Sequence, residues 1–362
     1  MMGLKKLDWY IIKKFMTTFF LSLLLIVGIV IIFDISEKID DFVAKSAPLK
    51  EIVFDYYLNF IPYFMNMYSP MFVFLTVIFF TSKMTSNSEI IAILSNGISY
   101  HRMMVPYLVS ATLIAMLSLG LSLWVIPKAN DTRVQFEQKY IKRMKVKTGH
   151  DMHYKLEDDK FVYIESFSTW NNTAYNFTLE DLSGDRLVSK LSAESAQWDS
   201  TRGCWKLKNW TIRDYGEGLQ DHVRSGRQMD TTISLTKDDF YRNKFTIQRL
   251  NQKDLDALIR TQVERGDASV KEALIEKNNR YSMPFSAFIL TIIGVALSTK
   301  KRRGGIGWNI AIGTALGFSY ILFMQFSEMF VVTDTLPAGI AIWLPNILYA
   351  VIAIFLYIIA PK

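Results

Sequence analysis

The sequence predicts an α-helical membrane protein with six transmembrane helices and a β-domain inserted between the third and the fourth. Three observations carry this reading. Six stretches hold no Asp, Glu, Lys or Arg and reach the roughly 18 residues that a spanning helix needs. A polar segment of about 150 residues divides them three and three, and Lys and Arg gather on one side of the short loops.

The spans run Phe15 to Phe33, Tyr56 to Ser82, Met103 to Pro127, Tyr281 to Thr299, Gly304 to Ser327 and Thr335 to Pro361. Lys5, Lys6, Lys13 and Lys14 precede the first run as they would in a signal peptide. That run exceeds a signal peptide's apolar core, however, and no A-x-A site follows, so it reads as a retained span. One side of the short loops carries Lys83, Arg102, Lys300, Lys301, Arg302, Arg303 and Lys362 besides the N-terminal lysines, against Asp8 and Glu89. The other side carries Asp34, Glu37, Asp40, Asp41, Glu51, Asp55 and Asp334 against Lys38, Lys45 and Lys50. The basic side is expected in the cytoplasm with both termini, and the insert from Lys128 to Arg280 outside.

The net charge of +7 comes mainly from loops expected to lie against anionic headgroups, so the basic balance does not point to nucleic acid. The single cysteine, Cys204, excludes an intrachain disulfide and a cysteine-based metal site. His150 and His153 have metal-ligand spacing, yet they lie where loop enters strand without a third ligand at fixed distance, and no metal is expected.

Within the insert, Phe161 to Phe167, Ala174 to Leu179, Arg186 to Leu191, Cys204 to Ile212 and Thr231 to Leu235 read as strands. Asn171-Asn172, Ser183-Gly184-Asp185, Gly203 and Gly216-Glu217-Gly218 punctuate them as turns. Short strands so spaced suggest a sandwich, jelly roll or open barrel. Leu255, Leu258, Ile259 and Val263 then take helical spacing, with Gly266 as a stop and a second helix near Ser269 to Asn278. The organisation is therefore spans one to three over 1–127, a β-domain over 128–250, a helical stalk over 251–280 and spans four to six over 281–362. The sequons at Asn171, Asn176 and Asn209 are chance matches in a bacterial host.

Between spans two and three lies Ser86-Asn87-Ser88-Glu89-Ile90-Ile91-Ala92-Ile93-Leu94-Ser95-Asn96-Gly97. Ser86 and Glu89 have capping-box spacing, Ile90, Ile93 and Leu94 form a stripe, and Asn96-Gly97 supplies a stop. A short amphipathic helix over 86–97 follows, either resting on lipid or docking into a soluble motor with Glu89 paired to a basic residue there.

The order of three spans, β-domain and three spans resembles the LptF/LptG permease family. So do Leu7-Asp8-x-Tyr10-Ile11, Ser88-Glu89 with Gly97 eight positions on, and Leu255 through Gly266-Asp267 and Tyr281 to Pro284 before the basic loop. The resemblance covers nearly the whole chain, and the Leu7-Asp8 start tilts it toward the LptG type. It implies a permease subunit of an ATP-driven exporter that extracts lipopolysaccharide from the inner membrane, with a jelly-roll domain handing the lipid to a periplasmic bridge of similar fold. The implied partners are a second such permease, a cytoplasmic ATPase dimer, the bridge proteins and lipopolysaccharide. The chain itself has no G-x-x-x-x-G-K-[ST] loop, so ATP and Mg would be used by the partner, and no cofactor is expected here.

By the same resemblance, Glu89, Ile90, Ile93, Leu94 and Gly97 would make the contact to the ATPase. The first and fifth spans would line the lipid cavity: on the first, Phe15, Phe19, Leu23, Ile26 and Val30 face either acyl chains or other helices, which periodicity does not separate, and on the fifth Gly313 and Gly317 would form a seam that can open and close. The alternative for the glycines is tight packing within the subunit. LptG-type members carry lysines at the outer end of span one to pair with lipid A phosphates, where this chain has Asp34 and Asp41; either the nearest cations, Lys38 and Lys45, take that role, the other permease supplies the charge, or the substrate carries fewer phosphates. Glu328, at the outer end of span five, is a candidate headgroup contact or a residue already at headgroup level. Two other classes are weaker. A secondary carrier lacks the intramembrane charges it needs, and a receptor or enzyme acting through the β-domain lacks a nucleophile and base pairing there.

Overall fold

The computed structural model describes residues 5–141, 150–156, 159–168, 170–184, 186–216, 221–240, 244–299 and 305–360. The basic loop Lys300 to Arg303, the turn residues Asp185, Glu217 and Gly218, and Lys362 lie outside the described residues. Two compact units emerge, one of residues 1–142, 248–252 and 274–362, the other of residues 143–247 and 253–273.

The first unit is helical. Its helices are α1 (Lys6–Ala44), α2 (Leu49–Ser86), the short α3 (Glu89–Ser95) and α4 (Tyr100–Tyr140). Six helices among the described residues are long and apolar enough to cross a membrane: α1, α2, α4 and three described below. Both α2 and α4 carry a π-helical turn, at Ile52–Tyr57 and Leu121–Val125. Helix α4 continues through Lys128 to Tyr140, past the last apolar residue of its span. Pro62 and Pro70 sit inside α2, where neighbouring helices and a local change of helical pitch can meet the carbonyls a proline frees.

The second unit is built on six strands, β1 (His150–Lys155), β2 (Lys160–Ser168), β3 (Thr173–Ser183), β4 (Arg186–Asp199), β5 (Cys204–Tyr215) and β6 (Asp221–Thr231). They form one antiparallel sheet in sequence order, each strand paired with the next. Thr231 to Leu235, expected as a strand, is instead the end of β6 and a coil whose Leu235 is buried and accepts the Trp205 indole N–H at 2.8 Å. Short helices α5 (Lys237–Phe240) and α6 (Lys244–Ile247) follow, and Phe240 stacks on Phe167 in the same core.

One rung of this sheet is broken in every strand. Pairing continues in constant register on both sides of Asp151, Glu165, Asn176, Glu194, Asn209 and Arg227, but these six residues fall between paired neighbours. On alternate strands the residue there is left-handed: Asp151 at φ 51°, Asn176 at 49° and Asn209 at 50°. Asp and Asn tolerate that conformation because their short polar side chains bond locally. Inward positions are two apart along each strand but three apart across the rung, from Ile164 to Phe167, Ala174 to Phe177, Ala193 to Ala196 and Leu207 to Trp210. The rung is a crease that turns the pleat without exposing the core on either side of it. Glu165 accepts from Asn176, and Glu194 accepts from Asn209 at 2.5 Å, so the crease is closed by its own side chains.

Helix α7 (Gln252–Glu264) belongs mostly to the β unit, where Leu255 is fully buried and the Arg265 carbonyl accepts from the Lys155 N–H at 2.8 Å. The second stalk helix is not separate: Val270–Ser298 is one continuous helix, α8. The chain ends with α9 (Gly305–Val332), α10 (Ala338–Ala341) and α11 (Leu344–Ile359). Helices α8 and α9 each supply a span, and α10 with α11 supplies the last.

Candidate functional site

The amphipathic helix expected over 86–97 is α3, which holds the whole apolar stripe but starts three residues later and ends two earlier than expected. Ser86 closes α2, and the residue before α3 is Ser88 at φ 60°, with no side-chain cap. The anticipated capping box therefore does not form, whereas Gly97 at φ 81° ends the turn as expected. Ile90 is fully buried in a core with Ile11, Phe15, Met84, Tyr100 and Met103, and Ile93 and Leu94 pack on its edge. Ile91 is left 47% exposed.

Glu89 is engaged within the chain. It accepts from the Tyr10 hydroxyl at 2.9 Å and lies 3.6 Å from the Lys14 ammonium, which donates to Tyr10 at 2.8 Å. Beside it, Arg102 grips Asp8 with two parallel bonds of 2.7 and 2.6 Å. Asp8 is 2% exposed, and its second oxygen also caps the helix by accepting the Lys5 N–H at 2.7 Å. Sequence reasoning used Asp8 and Arg102 separately; their pairing across 94 positions gave no local signal.

On α1, Phe15, Phe19 and Leu23 face the interior at 0, 1 and 2% exposure, and Ile26 and Val30 are half-buried. The exposed apolar face consists of other residues, among them Leu21, Leu24, Leu25, Ile29, Ile32 and Phe33. Gly313 and Gly317 of α9 face α2: a Cβ on Gly313 would collide with Ile78, and one on Gly317 would come 3.3 Å from Phe74. Gly294 of α8 meets Val77 in the same way at 2.9 Å. These glycines make a seam inside the chain, and the exposed face of α9 is instead Phe318, Leu322, Phe326 and Met329.

At the other end of α1, Lys38 pairs with Asp34 one turn earlier at 2.5 Å and lies over the Tyr56 ring. Asp34 also accepts from the Tyr56 and Tyr57 hydroxyls at 3.2 and 3.1 Å. Lys45 donates to the carbonyls of Lys139 and Ile141 at 3.4 and 3.2 Å. Phe42, Tyr56, Tyr57, Phe136 and Tyr140 form the aromatic core around this network. Glu328 accepts from Asn279 of α8 at 2.9 Å.

Sequence reasoning also missed a buried polar group nearby. Arg133, 3% exposed, lies 5.2 Å from the Tyr63 ring and 3.4 Å from Glu137, and the Tyr63 hydroxyl meets the Gln248 amide. On the β-sheet the Ser189 hydroxyl and then Arg224 hold the Asp214 carboxyl below the usual carboxylate range. Among the described residues no three or more His, Cys, Asp or Glu side chains gather as metal ligands, and His153 instead lies against the Tyr163 ring at 4.8 Å.

No curated protein matches the chain. The family described as lipopolysaccharide export system permease LptF/LptG matches residues 9–359, which takes in every span and the whole sheet. The chain belongs to the LptF/LptG family and is a permease component of the lipopolysaccharide export system, a transporter part rather than a catalytic enzyme.

Proposed function

We propose that this chain is one of two permeases that, driven by a cytoplasmic ATPase dimer, extract lipopolysaccharide from the inner membrane and pass it through the β-domain to a periplasmic bridge of similar fold. Both termini lie in the cytoplasm and the β-domain in the periplasm, in accord with the loop charges. The observation that carries the reading is the uneven covering of the spans. In their most apolar windows α1 and α9 are the least covered of the six, at 17 and 22% buried, while α8 reaches 61%. Lipid or a second permease covers faces like these, since helices in a bilayer associate by packing rather than by escape from water. The exposed faces of α1 and α9 supply that contact, and the seam at Gly313 and Gly317 holds α9 to α2.

Helix α3 is the docking element for the ATPase. Ile90 anchors it in the bundle, Gly97 sets its end, Ile93 and Leu94 steady it, and Ile91 and Glu89 meet the motor. ATP and Mg act in that partner. At the outer end, Lys38 and Lys45 contact lipid phosphates only by giving up Asp34 and the carbonyls at 139 and 141, so the companion permease supplies most of the cationic contact.

Mass spectrometry of the protein taken from its native membrane in mild detergent tests the reading. A second permease, an ATPase and lipopolysaccharide are expected together. A lone protein without an ATPase, found reproducibly, would favour a receptor acting through its β-domain.

A further inference from the structure

A carboxylate buried in the first turn of α1 is costly unless its charge is met, and Asp8 is met by three donors: the two terminal Arg102 nitrogens and the Lys5 N–H. Two of them come from α4, the helix that directly follows α3. Asp8, Ile11 and Phe15 share one face of α1, and Ile11 and Phe15 pack in the same core as Ile90 of α3 and Tyr100 and Met103 of α4. Outside that core, Tyr10 and Lys14 hold Glu89, the first residue of α3. Ser99 caps α4 by accepting the Arg102 N–H at 3.3 Å, which fixes the arginine at the start of its helix. The first turns of α1 are thus joined to α3 by a polar cluster and to α4 by a forked ion pair, with an apolar core between.

We infer that Asp8 and Arg102 are positioning residues that make the start of α1 part of the motor-coupling element, so that displacement of α3 is delivered directly to the first span. This rests on the ATP-driven reading above. A forked arginine–carboxylate pair fixes orientation as well as distance, which a single apolar contact does not. The first span is also the one whose apolar window is least covered, so movement applied at its base changes the surface offered to lipid or to the second permease. Glu89 acts at the same joint: a cation on the motor draws it from Lys14, loosening one tie while the Asp8–Arg102 pair keeps the other.

The test uses the full complex with its ATPase and second permease in vesicles containing lipopolysaccharide, scoring lipid released per ATP hydrolysed. Arg102→Gln is expected to assemble and hydrolyse ATP while release per ATP falls about fivefold or more, the size of a typical coupling between sites. Exchanging the charges, Asp8→Arg with Arg102→Asp, is expected to restore part of that ratio, which a packing defect would not allow. An unchanged ratio in Arg102→Gln, a fall in hydrolysis with the ratio intact, or no rescue by the exchange would overturn the inference. Should Arg102→Gln fail to assemble, Arg102→Lys, which keeps the charge but loses the fork, must lower the ratio; an intact ratio there would equally overturn it. A wild-type complex that hydrolyses ATP and releases no lipid would overturn the motor reading and this inference with it.

Discussion

The two ends of α1 each carry a carboxylate paired with a cation, and the pairs do different work. Asp34 and Lys38 are one turn apart on the same helix, so the pair neutralises its own lysine, while the Tyr56 and Tyr57 hydroxyls tie the carboxylate to α2. Asp8 and Arg102 lie on different helices, so that pair joins α1 to α4 through charge. Between them, α1 turns one row of large apolar side chains inward and leaves another uncovered. The difference teaches that a span can be fixed at its base and remain open along its length. On the proposed ATP-driven reading the permease uses both, one end receiving force and the remainder meeting a lipid.

The largest test of that contrast compares the inward and outward rows. Phe15 packs against Phe80 and Tyr107 with ring centroids 5.5 and 6.5 Å away, so Phe15→Ala is expected to cost about 3–5 kcal/mol. Leu25, 60% exposed, should change stability by no more than about 0.5 kcal/mol on the same truncation. Thermal unfolding in lipid nanodiscs reads both, and equal losses would break the comparison. Next in size is the seam that holds α9 closed. Gly313→Leu is expected to cost about 1–3 kcal/mol by forcing Ile78 aside, while Gly307→Leu meets open space and should be near neutral. A neutral Gly313→Leu would mean that α9 moves freely against α2.

The smallest effect concerns the outer pair. Asp34→Asn removes the charge that occupies Lys38, so binding of lipid A phosphates to the purified chain should tighten about two- to fivefold, corresponding to ~0.5–1 kcal/mol, and fade with added salt. Asp8→Asn should give no such gain, because Arg102 lies at the opposite end of the helix. Tightening by both variants, or by neither, would show that the two ends are not distinct in the way the pairing implies.

The spans were legible because a bilayer demands length without charge, and the sequence meets that demand six times. Most strands were legible from their alternation, as in Phe161 to Phe167. His150–Lys155 and Asp221–Thr231 were not, since a polar edge strand buries too little to leave a pattern. The crease was hidden for another reason. Asn176 and Asn209 matched sequons and read as chance, and only the register across five strand pairs aligns them with Asp151 on one rung. In the candidate site, the apolar stripe of α3 was readable from Ile90, Ile93 and Leu94, but its cap was misplaced because α2 runs on to Ser86. The occupation of Lys38 could have been read from its four-residue spacing to Asp34. Which row of α1 faces inward could not, because both rows are apolar and only the neighbouring helices choose between them.

Site-specific photo-crosslinking from position 91 in native membranes tests the central claim most directly. Ile91 is the large apolar residue that α3 leaves exposed, so a photoreactive residue there should capture a soluble nucleotide-binding protein. Capture should weaken in Glu89→Ala with the spans still folded. Crosslinks to lipid alone, unchanged by Glu89→Ala, would mean that α3 rests on the membrane and that no motor docks here.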